Sequence, residues 1–325
     1  MKSFNAVVRM LTVGVLMAIT GSVAAQQPYP VKPIRFIVPF PPGGSTDPMA
    51  RMAAGKLAEN WGVPVVVDNR PGGSTIIGTE AVAKAPPDGY TILLAGIPLV
   101  TGISLYPSIP YNAIKDFAPI ATIARSEFVL VLHPSVAANN LREFMALAKS
   151  RPEQLDYGSS GTGGSLHLAA ELFNVMVGSK MQHIPYKGSG PLISDLIGGQ
   201  VKLSFQTPIA TISHIKSGRL KAIAVTGKNR NSALPQVPTF TEAGLSGFDV
   251  NIWYGIVAPA GTPKGVIDKM SGEMAQILVM PDIREYLARQ GMEPFISTPD
   301  QVTALIRADI AKYAKIIKTA NIKLQ

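Results

Sequence analysis

The residues of this 325-residue chain whose types and spacing could do chemistry are four histidines, a pair of adjacent serines and four glycine-rich loops. His133, His167, His183 and His214 are spaced 34, 16 and 31 positions apart, with no HExxH and no pair at helical ligand spacing, so they do not read as a metal site. Cysteine is absent, which excludes a thiolate metal centre, a cysteine nucleophile and a disulfide framework. Neither GxSxG, GxGxxG nor a GxxxxGK P-loop occurs, so a hydrolase elbow, a dinucleotide fingerprint and a P-loop are not indicated. One nucleophile arrangement is left. Ser159 or Ser160 could pair with His167 across one loop and helix start, with no acidic partner dictated; that reading is an exported hydrolase.

The glycine-rich loops suggest a different chemistry. PFPPGGSTD, NRPGGST, SSGTGGSLH and YKGSGP each follow a strand candidate and open a helix candidate. Backbone N–H groups at such helix starts point at the carboxyl edge of a sheet, where open α/β folds bind ligands and where free N–H groups attract anions. Three to five hydrogen bonds to a charged group, at roughly 1.5–3 kcal/mol each, account for about micromolar binding, near 8 kcal/mol. Such a pocket binds a carboxylate without catalysis. The alternative is that the glycines only make tight strand-to-helix turns.

The elements that must position these loops follow from periodicity. Ile34 to Pro39, Val63 to Asp68 and Tyr90 to Ala95 are apolar strand candidates separated by helix candidates. The first helix reads Asp47 as N-cap and Pro48 as N1, then Met49, Ala53, Leu57 and Trp61 at four-residue spacing until Gly62. A second series from Phe128 alternates strands at 129–132, 155–158, 183–185, 201–205 and 220–225 with helices at 141–150 (N-cap Asn140), 166–177, 192–197 and 209–216. Trp253 to Ala258 returns as a strand, helices follow at 266–279 and 282–290, and Thr298, Pro299 and Gln301 form a capping box for the last helix. Alternating strands and helices predict an α/β protein with parallel sheets. The expected arrangement is two Rossmann-like lobes, one from about 26–124 plus 248–325 and one from about 125–247. The returning strand completes a first sheet that otherwise has three strands.

Lys2 and Arg9, the uncharged run from Met10 to Thr20 and Val23-Ala24-Ala25 before Gln26 match a secretory leader cut after Ala25. Removing Lys2 and Arg9 with it lowers the formal charge from +9 to +7. Lys and Arg are scattered, without a basic run or interleaved aromatics, so nucleic acid is not an expected partner. Hydrophobic residues at 46% with 16% charged describe a chain that buries a large core. With no lipid-accepting cysteine, the expected product is a soluble monomer, periplasmic in a two-membraned bacterium, needing no metal or cofactor.

Taken together, YPVKPIRFIVPFPPGGSTDPMAR, VVVDNRPGGSTIIGTEAVAKAPPDGYT, YGSSGTGGSLHLAAELF, HIPYKGSGP, HIKSGRLKAIAVT and WYGIVAPAGTP resemble the Bug family of periplasmic solute-binding proteins, the receptors of tripartite tricarboxylate transporters. The resemblance runs from about Tyr29 to the C-terminus. It implies a type II periplasmic-binding-protein fold whose two lobes close on one small ligand, typically a carboxylate and in some members a neutral amide, before docking on membrane components of the transporter. A role presenting ligand to a receptor kinase stays open.

Carried over by motif, the first jaw is the loop with Phe40, Pro42, Gly43, Gly44, Ser45, Thr46 and Asp47. The second jaw is Ser159, Ser160, Thr162, Gly163, Gly164 and Ser165, with His167 as a further ligand contact. Gly73, Ser74, Thr75 and Ile76, and the strand end Ala95, Gly96 and Ile97, would add contacts from the first lobe. Tyr186, Lys187, Gly188 and Gln206 would line the other side. Ser74-Thr75-Ile76 departs from the family's usual continuation of NRPG, as does the aliphatic LLAGIPLV. Gln206 stands where many members carry Asp, removing a repulsive charge from the pocket. Lys187 and Arg70 are candidates to raise the local positive potential.

Overall fold

The computed structural model describes residues 28–322. The proposed leader and its cleavage site lie outside the described residues, and Pro28 to Val31 form no helix or strand. From Lys32 the chain builds one unit around two sheets. The first has the order β11-β4-β10-β3-β1-β2 and the second β7-β6-β8-β5-β9.

In the first sheet β1 (Ile34–Val38), β2 (Val65–Asn69) and β3 (Thr91–Ala95) are parallel, as strand–helix–strand units require. Helices α1 (Thr46–Trp61) and α2 (Ile76–Ala83) make the crossovers, and α3 (Ile97–Leu105) leaves the end of β3. Beyond β3 the sheet becomes mixed. β10 (Asn251–Pro259) runs antiparallel between β3 and β4 (Phe117–Glu127), and β11 (Glu293–Pro294) closes the edge. The first sheet therefore gains β4 and β11 over the three strands and one returning strand expected. β4 stays in the first sheet to Glu127, three residues past the expected crossing.

The second sheet holds β5 (Val129–Leu132), β6 (Asp156–Ser159), β7 (Gln182–Pro185), β8 (Leu203–Gln206) and β9 (Lys221–Val225), with β6, β7 and β8 parallel and β5 antiparallel to both neighbours. Its helices are α4 (Leu141–Ser150), α5 (Ser165–Val177), α6 (Ser189–Ile197) and α7 (Pro208–Lys216). α8 (Lys264–Val279), α9 (Pro281–Arg289) and α10 (Pro299–Thr319) follow β10. Among the described residues no helix is long and apolar enough to cross a membrane.

Each sheet has its own core. In the first, Trp253 and Tyr254 of β10 are 2% and 1% exposed, and α10 packs over β4 and α3. The Trp253 indole donates to Asp309 Oδ2 of α10 at 2.7 Å, while burial raises the Asp309 pKa. In the second, Phe205, Phe240 and Phe248 stack, with 4.5 Å between the Phe240 and Phe248 rings. Burial of each such ring stabilises by about 1.5–3 kcal/mol.

Caps confirm several boundaries. The Thr298–Gln301 capping box opens α10, the Asn140 side chain accepts from Glu143 N, and Gly62 ends α1 at φ 67°. Asp47 is not the N-cap of α1. The cap is Ser45, and Asp47 sits in the first turn, where it accepts from Arg51 Nε at 2.7 Å one turn along the helix.

The two sheets are joined where β4 passes to β5 through Phe128 alone, and where β9 returns to β10 through residues 226–250. Thr226 ties these crossings together. Its amide donates to Phe128 O at 2.8 Å, its hydroxyl accepts from Phe128 N at 2.9 Å, and the same hydroxyl donates to Val250 O at 2.6 Å. Thr226→Val keeps the shape and orphans two backbone groups, each costing about 1–3 kcal/mol when buried. We expect a loss of roughly 2–4 kcal/mol on denaturant unfolding, and a much smaller loss for Thr226→Ser; a larger loss for Thr226→Ser than for Thr226→Val would show that packing of the methyl group, not the hydroxyl, matters here.

Candidate functional site

β1, β2, β6, β7 and β8 all deliver their C-terminal ends to one cleft between the lobes, and the helix that follows each begins there. The cleft contains two small cavities of about 30 and 40 Å³, each large enough for roughly two or three water-sized spheres. Phe40, Ser160 and Ser165 border both. One cavity continues along Ser74, Thr75 and the α3 face of Pro98, Thr101, Gly102, Leu105 and Tyr106. The other continues along Gly44, Ser45, Thr46, Ser189, Gln206 and Thr207.

The starts of α1, α2, α5, α6 and α7 all lie on this cleft, and none has a side-chain cap hydrogen bond. Of the helices that start elsewhere, α4 and α10 are capped by a side chain, whereas α8 and α9 are not. The helix starts on the cleft thus keep their first N–H groups for a ligand or water. No Asp, Glu, Lys, Arg or His lines either cavity among the described residues. The positive potential at the cleft comes from backbone dipoles and hydroxyl donors, which suit a small anion.

Glycine allows the two jaws to meet. Gly188 adopts φ +112°, and a Cβ there would lie 2.5 Å from Pro41 Cγ of the opposite lobe. Gly163 adopts φ +77°, and a Cβ there would lie 2.3 Å from Leu105 Cδ1. Thr101 Oγ1 of α3 donates to Gly163 O at 3.2 Å, a direct hydrogen bond between the lobes. At the floor, the buried Tyr254 hydroxyl donates to Ser45 Oγ at 2.6 Å, and Gln206 donates through Nε2 to Ser204 Oγ at 3.0 Å.

Of the residues expected at the site, Phe40, Gly44, Ser45, Thr46, Ser74, Thr75, Ser160, Thr162, Gly163, Gly164, Ser165 and Gln206 line the cavities. The others are placed around them. Pro42 and Gly43 abut Gly190, Gly73 turns against Ile76, and Gly96 abuts Trp253 O, with Ala95 and Ile97 buried. Tyr186 donates to Asp195 Oδ2 at 2.9 Å, and Lys187 is exposed. Arg70 is not a free cation at the cleft, because its Nε donates to Asp68 Oδ2 at 3.0 Å.

Of the alternative pairings of Ser159 or Ser160 with His167, the one with Ser159 is not formed. Ser159 Oγ lies 2.7 Å from His183 Nε2, while His167 Nδ1 accepts the Gly163 N–H at 2.9 Å. Burial, helped by the neighbouring His183, pushes the His167 pKa down to about 3, and burial pushes His183 down to about 4. The α3 face beyond Ile97 was missed, although Pro98 after Gly96 is a helix-start signal.

The jaws give a direct check. Gly188→Ala is expected to keep them from meeting and to raise the radius of gyration in small-angle scattering. Gly62→Ala, also left-handed but facing open space, should leave the scattering curve unchanged. Superimposable curves for the two variants would contradict this account of closure.

Residues 49–322 match the model of the family described as Tripartite tricarboxylate transporter family receptor. Protein BugT of Bordetella pertussis is 39% identical over 317 residues, covering 96% of this chain and 97% of BugT. Among solved structures, R. palustris Rpa4515 with adipate is 34% identical at a TM-score of 0.89, covering 91% of this chain and 99% of that one. The periplasmic binding protein BugD is 34% identical at a TM-score of 0.87, covering 91% and 100%. With these likenesses spanning both lobes and the cleft between them, the chain belongs to the Bug family of solute receptors of tripartite tricarboxylate transporters.

Proposed function

We propose that this receptor is exported to the periplasm after loss of a leader ending near Ala25, and there captures a small carboxylate between its lobes. Closure of the jaws around that carboxylate presents it to the membrane components of the transporter, and the receptor acts as a monomer without catalysis. The lobe boundaries in this reading are the two crossings, at Phe128 and at residues 226–250. The observation that carries it is the set of uncapped helix starts facing a cleft whose two cavities are lined, among the described residues, by no charged side chain.

An anion gains about 1.5–3 kcal/mol from each hydrogen bond to it, and no fixed carboxylate in the lining repels it. A cationic ligand would meet the positive ends of five helix dipoles. Gln206, at 1% exposure, supplies an amide where an acid would oppose a carboxylate. The adipate bound by the R. palustris relative is consistent with this chemistry. The absence of the Ser159–His167 pair, and the low basicity of His183, count against a hydrolase.

A thermal-shift panel of mono-, di- and tricarboxylates with their matched amides tests the reading. A carboxylate at about 100 times its dissociation constant stabilises by about 2.7 kcal/mol, which raises the melting temperature by several degrees in a chain of this length. Shifts with carboxylates and none with their amides are expected. An amide that shifts where every carboxylate fails would overturn the anionic assignment.

A further inference from the structure

Behind the second jaw, on the side away from the cleft, three aromatic rings form a stack. His167 and His183 lie 3.9 Å apart with planes 14° from parallel, and Tyr157 continues the stack 5.0 Å from His183. The Tyr157 hydroxyl donates to Glu171 of α5. His167 is 5% exposed and His183 half-buried, and neither lines a cavity.

Each histidine holds one end of the jaw. Ser159 Oγ, 2.7 Å from His183 Nε2, also lies 3.0 Å from Gly161 O and accepts the Gly161 N–H at 3.3 Å. His167 Nδ1 accepts the Gly163 N–H at 2.9 Å. Gly161 and Gly163 have φ values of +141° and +77°, a path that only glycine follows without strain. The segment between these anchors, Ser160 to Gly164, borders the cavity along α3 and sends Gly163 O to Thr101 of the other lobe.

We infer that His167 and His183 are positioning residues for ligand capture, holding the Ser160–Gly164 jaw from behind through Gly163 N–H and Ser159 Oγ without touching the ligand. The acceptor role fixes the His167 tautomer, with its proton on Nε2, since Nδ1 must present a lone pair to Gly163. A protonated ring would set N–H against N–H. Burial holds His167 neutral, with its pKa at about 3, so the lone pair is present at neutral pH. The Gly163 carbonyl, on the next peptide, accepts separately from Thr101 across the cleft.

His167→Phe and His167→Asn separate the lone pair from the ring. Phe keeps the stack and removes the acceptor, while Asn loses the ring and offers Oδ1 near the place of Nδ1. Ser159→Ala releases the other anchor and leaves His167 in place. The first readout is hydrogen exchange of the Gly161 and Gly163 amides by NMR, which needs no ligand. The second is the dissociation constant for adipate or, if adipate gives no thermal shift, for the carboxylate with the largest shift.

We expect His167→Phe to speed Gly163 exchange at least tenfold and weaken binding at least tenfold, with His167→Asn within about threefold of wild type on both readouts. Ser159→Ala should speed Gly161 exchange and weaken binding, and it stands as the test if His167→Phe does not fold. Unchanged exchange and affinity in the variants that fold would overturn the inference, as would equal losses from Phe and Asn. The consequence for affinity rests on the proposed carboxylate reading. If no carboxylate binds the wild type, that reading fails, and the exchange rates alone decide whether the histidines hold the loop.

Discussion

A helix start leaves backbone N–H groups without intrahelical partners, and this fold turns five such starts, those of α1, α2, α5, α6 and α7, toward one cleft. None is closed off by its own side chains. Much of the rest follows from that arrangement. Parallel strands must deliver their C-terminal ends to the same edge, two sheets must face each other at those ends, and the loops there must be short. An unfilled donor set is tolerable only where water or a ligand can reach it, so the cleft has to stay accessible.

The close approach of the jaws depends on two particular glycines. Gly188 against Pro41 and Gly163 against Leu105 are backbone-to-side-chain approaches that a Cβ would block. The first borders one of the two cavities and the second borders the other. The crossings between the two sheets are narrow, a single residue at Phe128 and a segment bound to it through Thr226. The formal charge of +9 plays no visible part in the lining, since the cavities hold no lysine or arginine and Arg70 is paired with Asp68.

Much of this was legible in the residues themselves. The α1 periodicity ending at Gly62, the Thr298 capping box and the four strand-to-helix glycine loops are local signals, and each recurs in the structure. β4 was not legible. Pro119 interrupts it, Arg125 faces solvent, and its pairing with β10 joins residues more than a hundred positions apart. The His183 partner of Ser159 was hidden for a similar reason. It sits 24 residues along the chain, on a neighbouring strand whose register only the assembled sheet brings into place. His167 was the nearer histidine, but the helix it belongs to directs its ring to Gly163 instead. Sequence spacing found the loops that face the ligand and missed what holds them from behind.

In the proposed function, neutral donors and not charged side chains hold an anion in this cleft. A crystal structure of the chain with a bound carboxylate tests it most directly. The account predicts carboxylate oxygens within hydrogen-bond distance of backbone N–H or hydroxyl groups in Gly44–Thr46 and Ser160–Ser165, with no lysine or arginine nitrogen within about 4 Å, the ion-pair range. A carboxylate paired with Lys187, or with any other cationic side chain, would contradict it.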